Sequence, residues 1–240
     1  MSVLDVDVGN SRIKWRWSGP PLATGAVARE STFALALPQP WCPRRVRISS
    51  VAGREVEHAI AGVIRRQFGV EAEFAKVGRA LGGVRCGYEV PGHLGVDRWL
   101  AVVAAWQRVR SALVVVDAGS ACTVDFVDAA GEHKGGYIVP GLAMMLAALD
   151  RNTAQVHVSA GAVDVDYRPG TTTRAAVTRG TARMLAAFVG DCVDRFAIEC
   201  EHAVELILCG GDAEALAALI DRPLQHCKDL VFEGLELALP

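Results

Sequence analysis

An excess of positive charge is missing: 25 lysines and arginines stand against 27 aspartates and glutamates, a net charge of −2 over 240 residues. A general nucleic-acid binder is therefore not expected, because affinity for a phosphate backbone rests on clustered cations. The densest basic run, Arg44-Arg45-Val46-Arg47, reads as a solvated lead into a strand. Long hydrophobic runs are missing too, and no apolar stretch reaches the length of a bilayer crossing. Asp5 and Asp7 break the N-terminal apolar segment, and no basic region precedes it, so a secretory leader is not expected. The seven cysteines form no C-x-x-C pair and have no histidine at zinc-finger spacing, which leaves reduced, structural thiols in a cytoplasmic protein as the expectation. His58, His93, His133, His157, His202 and His226 are scattered, and no Gly-x-Ser-x-Gly elbow is present, so hydrolase chemistry of the serine or zinc type lacks support. Walker A and Gly-x-Gly-x-x-Gly fingerprints are absent as well.

What is present is an ordinary globular composition, 51% hydrophobic and 22% charged. Val3 to Val8 alternates apolar and acidic residues, the pattern of a strand with one buried face. Gly9-Asn10-Ser11 supplies a tight turn, and Ile13 to Trp17 alternates again, which predicts a hairpin. The Pro-rich stretch to about Pro43 reads as short strands and loops, Val46 to Val51 as a buried strand, and Glu55 to Phe68 as a helix stopped by Gly69. Gly78, Gly82, Gly83, Gly87, Gly92 and Gly95, with Pro91 among them, predict a loop beside rigid elements, the usual setting of a site. A helix is expected from Asp97 to Val109. Strands follow at Ala112 to Asp117, Cys122 to Val127, Gly135 to Pro140 and Val204 to Cys209, with helices at about Leu142 to Arg151, Thr173 to Phe196 and Ala213 to Ile220.

The informative feature is a repetition. Strand, Asp-x-Gly, polar turn, strand occurs at Asp7 and again at Asp117. Each copy leads into further strands and a helix, which predicts two α/β lobes, 1–111 and 112–240, facing a cleft.

A turn of Gly with Asn or Ser between two strands aims backbone N–H groups at an anion. The aspartate before it would repel a phosphate unless a cation lay between them, so Asp7 and Asp117 imply metal-bridged phosphate. Gly210-Gly211-Asp212 fits either a nucleotide contact or a plain strand-to-helix turn. Asp97, at a helix start beside Arg98, is either a carboxylate complementing the helix dipole or a general base next to a guanidinium anchor. Gly170-Thr171-Thr172-Thr173 caps a long helix and has hydroxyls to spare for an anionic substrate.

In order along the chain stand Asp7-Val8-Gly9-Asn10-Ser11, Tyr88-Glu89-Val90-Pro91, Leu94-Gly95-Val96-Asp97-Arg98, and Val116 to Asp125. Gly135 to Gly141, Thr153-Ala154, Gly170 to Thr173 and Cys209 to Asp212 complete the set. Taken together, over nearly the whole chain, they resemble a type III pantothenate kinase, a family of the acetate and sugar kinase, Hsp70 and actin superfamily. That resemblance implies duplicated actin-like (ribonuclease H-like) lobes, each a mixed sheet flanked by helices, with an interlobe cleft. It also implies ATP-dependent phosphorylation of pantothenate to 4′-phosphopantothenate, the first step towards coenzyme A. Carried over by position, Asp7, Val8, Gly9, Asn10, Ser11, Arg12, Ile13 and Lys14 would hold the ATP phosphates, with Asp7 near magnesium and Ser120 also meeting ATP. Asp97 would accept the proton of the pantothenate hydroxyl. Tyr88, Gly95, Val96, Arg98 and Thr173 would line the substrate pocket. Asp117 would bind a monovalent cation, potassium or ammonium, and a second subunit of a homodimer would help close the site. Ser120 and Cys122 replace two threonines of the family's second phosphate motif; Val90 stands where the family often has Asn, and Val156-His157 where it often has Leu-Pro. Another kinase on the same scaffold and a non-catalytic nucleotide-binding protein are the alternatives.

Overall fold

The computed structural model describes residues 2–29, 41–153 and 164–240. In chain order the strands and helices begin with β1 (Val3–Val8), β2 (Arg12–Trp17), β3 (Ala23–Ala28), β4 (Arg45–Ser50), α1 (Arg54–Phe68) and β5 (Ala72–Phe74). A two-residue hairpin, β6 (Ala80–Leu81) and β7 (Val84–Arg85), leads through a 3-10 turn at Pro91–His93 to α2 (Val96–Val109). Then come β8 (Leu113–Ala118), β9 (Ala121–Val127), β10 (His133–Pro140), α3 (Leu142–Asn152) and α4 (Thr173–Cys200). The last are β11 (Glu205–Cys209), α5 (Ala213–Ala217), β12 (Gln225–His226) and α6 (Leu230–Ala238). The chain forms two compact units. One contains Met1–Gly82, Tyr88–Ala104 and Asp229–Pro240; the other contains Gly83–Gly87 and Ala105–Lys228.

The first unit is built on a five-stranded sheet in the order β3-β2-β1-β4-β5. The β1-β2-β3 meander is antiparallel, whereas β4 and β5 run parallel to β1. One face carries Leu4, Val6, Val8, Ile13, Trp15, Trp17, Val46 and Ile48, and α1 covers it with Ile60 and Ile64. Those two residues lie one turn apart on α1, as an amphipathic helix requires. The other face of β1 is buried as well, contrary to the one-sided strand its alternation predicts: Asp5 and Asp7 are both buried. The reason is α6, which packs on β1 and β4. Its Phe232 and Leu235 join Val96 and Leu100 of α2 in a second apolar cluster.

Burying Asp5 demands compensation, and the two neighbouring strands supply it. Arg47 Nε and Nη2 donate to Asp5 at 2.7 and 3.2 Å, and Arg16 Nη2 and Nε donate at 2.7 and 3.2 Å. Both arginines also reach the C-terminal segment. Arg16 bonds the Phe232 carbonyl and Glu236, and Arg47 bonds the Leu239 carbonyl at 3.1 Å. Arg45 is paired with Glu73 at 2.7 Å. The basic run expected to be solvated is therefore largely tied up, with Arg47 buried in a paired network, the one arrangement a buried charge tolerates.

The second unit repeats the plan. Its sheet order is β10-β9-β8-β11-β12, again an antiparallel meander followed by two parallel strands. Val114, Val116, Val124, Leu206 and Leu208 face α4, whose Ala182, Leu185, Ala186, Val189, Val193 and Phe196 recur at helical spacing. Helix α4 runs one turn beyond the Phe196 expected from sequence, to Cys200. All seven cysteines are free thiols, and four of them are buried. Among the described residues no helix is long and apolar enough to cross a membrane.

Candidate active site

In the first unit Asp7 is the penultimate residue of β1, flanked in register by Lys14 of β2 and Ser49 of β4. Gly9 closes the turn, its N–H donating to the Arg12 carbonyl at 3.0 Å. Asn10, Ser11 and Arg12 are exposed at this end, and Lys14 is half-buried. The side chains of Val8 and Ile13 lie in the core, so only their backbone groups are open to a ligand. Ser49, which the sequence reading passed over, is fully buried directly across from Asp7. It had no clear local signal, because β4 reads Arg-Val-Arg-Ile-Ser-Ser and a serine does not stand out in it.

The Gly95 to Arg98 motif belongs to the same unit. Gly95 precedes α2 and its carbonyl accepts from Trp99 N at 3.0 Å. Asp97 Oδ1 accepts from the Arg98 N–H at 2.7 Å, and Arg98 Nη1 donates to the Tyr88 hydroxyl at 3.0 Å. The Arg98 guanidinium also sits 5.8 Å from the Tyr88 ring centre. Tyr88, Asp97 and Arg98 are thus brought together from either end of the 3-10 turn. Val51 ties them towards the Asp7 turn: its N–H bonds the Val8 carbonyl at 3.2 Å, and its side chain packs against the cluster containing Val96. The segment expected to be a glycine-rich loop is therefore partly ordered into a hairpin and a 3-10 turn.

In the second unit Asp117 occupies the equivalent place, penultimate in β8 and flanked in register by Thr123 and Cys209. The turn is one residue shorter than the first, Gly119 N–H donating to the Ala121 carbonyl at 3.1 Å. Two further elements converge on it. Gly141 N–H bonds the Ser120 carbonyl at 3.1 Å, and Asp212 N–H bonds the Ala118 carbonyl at 2.9 Å. Gly210 has φ of 97°, and a Cβ there would strike the Asp117 carboxylate and the Ala118 carbonyl, so only glycine fits. The strand-to-helix turn at Gly210 thus forms a wall of the Asp117 turn, while Ser120 projects outward, exposed.

Cys122 is fully buried. Burial first, then the carboxylate of Asp117, pushes its thiol up to about 12, so it stays neutral and behaves as a small apolar side chain. Thr173 stands exposed at the start of α4, capped by Thr172 Oγ1, which accepts from Ala175 N at 3.2 Å. Ala154 of the Thr153-Ala154 motif, with Val156 and His157, lies outside the described residues. Among the described residues no cluster of three or more His, Cys, Asp or Glu could cage a metal ion. Single carboxylates beside backbone-lined turns suit an ion that completes its shell with phosphate oxygens and water.

Comparison with known proteins carries the assignment further. A family model described as type III pantothenate kinase matches residues 3–195. A type III pantothenate kinase of Azotobacter vinelandii is 35% identical over 248 residues, covering 99% of this chain and 98% of that protein. Another, from Hahella chejuensis, is 36% identical over 244 residues, covering 99% and 97%. Among solved structures, a protein described as a conserved Baf family transcriptional activator from Campylobacter jejuni superposes with a TM-score of 0.62 at 22% identity, over 97% of this chain and 95% of that one. A ROK family glucokinase from Streptomyces griseus superposes with a TM-score of 0.53 at 11% identity, over 99% and 98%. The solved structures establish the fold, that of the actin-like sugar kinases, and both sheets have its mixed order. With two Asp-x-Gly turns at matched positions, an ordered Gly95 to Arg98 motif and relatives aligned from end to end, the chain belongs to the type III pantothenate kinase family.

Proposed function

We propose that this protein phosphorylates pantothenate from ATP, giving 4′-phosphopantothenate and ADP, the first step of coenzyme A biosynthesis. The observation that carries the reading is the constellation on α2: Asp97 beside Arg98, with Arg98 held on the Tyr88 hydroxyl. A kinase of this type has little covalent work to do. It must hold two substrates in line and accept one proton. Asp97 is the proton acceptor for the primary hydroxyl of pantothenate. As the hydroxyl oxygen bonds to the γ-phosphorus, the bond to the β,γ-bridging oxygen breaks and ADP leaves. Arg98 and Tyr88 anchor the polar substrate, with Gly95 and Val96 shaping the pocket and Thr173 adding a hydroxyl.

The turn from Asp7 to Lys14 holds the ATP phosphates, with backbone N–H groups at Gly9 to Ser11 and the ammonium of Lys14 as counter-charges. Ser120, exposed on the turn after Asp117, is a further ATP contact. Magnesium, when bound, neutralises phosphate charge, and Asp7 is its protein ligand. Asp117, walled by Gly210, takes a monovalent cation, potassium or ammonium. Cys122, which stands in place of a threonine, is fully buried, and we assign it no ligand contact.

The protein acts as a cytoplasmic homodimer. Tyr137, Ile138, Met144, Leu149 and Met184 of the second unit are large apolar side chains left exposed on β10, α3 and α4. Ile138 is 63% exposed. A group of this kind on one unit suits burial against a second copy. The test is ADP release in a coupled assay with and without pantothenate and potassium. Pantothenate-dependent turnover, raised by potassium, is expected; turnover indifferent to pantothenate would refute the proposed reaction.

A further inference from the structure

The approach to Thr173 is fixed by an ion-pair network that the family motifs do not include. Arg179, six residues into α4, uses every arm of its guanidinium on the segment before the helix. Nε pairs with Asp164 at 2.7 Å, Nη2 with Asp166 at 3.2 Å, and Nη1 donates to the Arg168 carbonyl at 3.0 Å. One turn further, Arg183 Nη1 donates to the Tyr167 carbonyl at 2.8 Å and its guanidinium lies 5.3 Å from the Tyr167 ring centre. Residues 164–168 are thereby strapped along one flank of α4.

The strap has a direct consequence for the helix start. From Arg168 the chain reaches Thr172 through Pro169 and Gly170. Gly170 passes so close to the first turn of α4 that a Cβ would strike the backbone of Ala175 and Ala176. Thr172 then caps the helix through Ala175 N at 3.2 Å, and Ala176 N bonds its carbonyl at 2.8 Å. A capping residue holds its place only if the chain enters at the right angle. Isolated surface ion pairs contribute little, but a guanidinium fork with three acceptors in a network is the arrangement that does. The Asp166 carboxyl is held down to about 2, first by its bonds to Arg168, so the strap is fully charged at neutral pH.

We infer that Arg179 is a positioning residue: by strapping residues 164–168 to α4 it sets the entry of Gly170 to Thr172 and so the placement of the Thr173 hydroxyl. The inference rests on the proposed role of Thr173 at pantothenate, and it is tested in two ways. In steady-state kinetics, Arg179→Gln is expected to raise KM for pantothenate about tenfold, the scale of a small misplacement of a contact, with KM for ATP and kcat nearly unchanged. Asp164→Asn with Asp166→Asn should do the same, and the triple variant should be no worse than Arg179→Gln alone, since the effects share one network. Arg195→Gln, which breaks the exposed pair to Asp191 on the same helix, should move neither constant. An unchanged pantothenate KM, additive shifts, or an equal shift in Arg195→Gln would overturn the inference. Independently of turnover, hydrogen exchange at the Ala175 and Ala176 amides should quicken at least about tenfold in Arg179→Gln as the cap loosens. Unaltered exchange there overturns the inference on its own. Absence of transfer to pantothenate by the wild-type protein would instead refute the reaction, while exchange still decides the role of Arg179.

Discussion

The two sheets share one strand order and one pattern of antiparallel and parallel pairing, yet their central rows differ in chemistry. Across β2, β1 and β4 the first sheet places Lys14, Asp7 and Ser49 in one row, and Arg16, Asp5 and Arg47 in the row beneath. The matching rows of the second sheet, across β9, β8 and β11, are Thr123, Asp117 and Cys209, then Asp125, Val115 and Ile207. Only the aspartate before the turn recurs at the same place. Beneath it, one unit has a charged network closed by its C-terminal helix, whereas the other has Val115 and Ile207, with Asp125 paired to His133 at 2.9 Å. A duplicated scaffold thus fixes where a turn and its carboxylate stand and leaves the supporting layer free to diverge. The difference also separates activity from stability. Under the proposed function, residues at the turns govern turnover, whereas the row below them governs whether the sheet holds.

That separation can be broken by substitution. The largest effect is expected at Asp97, which has no counterpart in the second unit: Asp97→Asn should lower kcat by about a hundredfold or more while thermal unfolding is unchanged, the scale of a lost general base. Next come the paired aspartates. Asp7→Asn should lower kcat/KM for ATP by roughly a hundredfold through lost magnesium and phosphate binding. Asp117→Asn should cost less and, unlike Asp7→Asn, abolish the response to potassium. Potassium titrations of the two variants read this directly, and identical responses would erase the proposed division of labour. Smaller in rate but large in stability is Asp5→Ala, which leaves Arg47 buried without its carboxylate and should cost about 3–5 kcal/mol in urea unfolding. Cys122→Thr is expected to change least. Its thiol ionises near 9 when unfolded and at about 12 when folded. Between those values the unfolded state holds fewer protons, so the thiol makes stability fall as pH rises through that window. Cys122→Thr should flatten that alkaline fall in urea melts made below and above pH 9, with turnover at neutral pH nearly unaltered.

How much could be read beforehand follows from where the information lay. Strands such as β8 and helices such as α2 announce themselves, because apolar runs and helical spacing are local. The two aspartate turns were legible because they repeat. β3 was legible only as part of a stretch of short strands and loops, because its small, alternately exposed residues form an edge with weak strand character. Helix α6 was missed for a sharper reason. Gly234 sits in its middle, which normally argues against helix, but here a Cβ would strike the Leu100 carbonyl, so glycine is what lets α6 pack on α2. The roles of Arg16 and Arg47 were equally hidden. Their partners lie far along the chain, and nothing near a basic residue tells whether it faces water or a buried carboxylate. The same holds for Arg179, whose spacing from Asp164 and Asp166 has no local rule behind it.

The clamp of Arg16 and Arg47 on α6 also bears on the order in which the protein is assembled. The first unit opens at β1 but is completed by Asp229–Pro240, which the ribosome makes after all of the second unit. Until then Asp5, Arg16 and Arg47 have only one another and water, and the Phe232 face of the sheet stands open. The second unit, nearly contiguous in sequence, can close first. The older half of the nascent chain is therefore the later half to fold, and it waits on its last nine-residue helix.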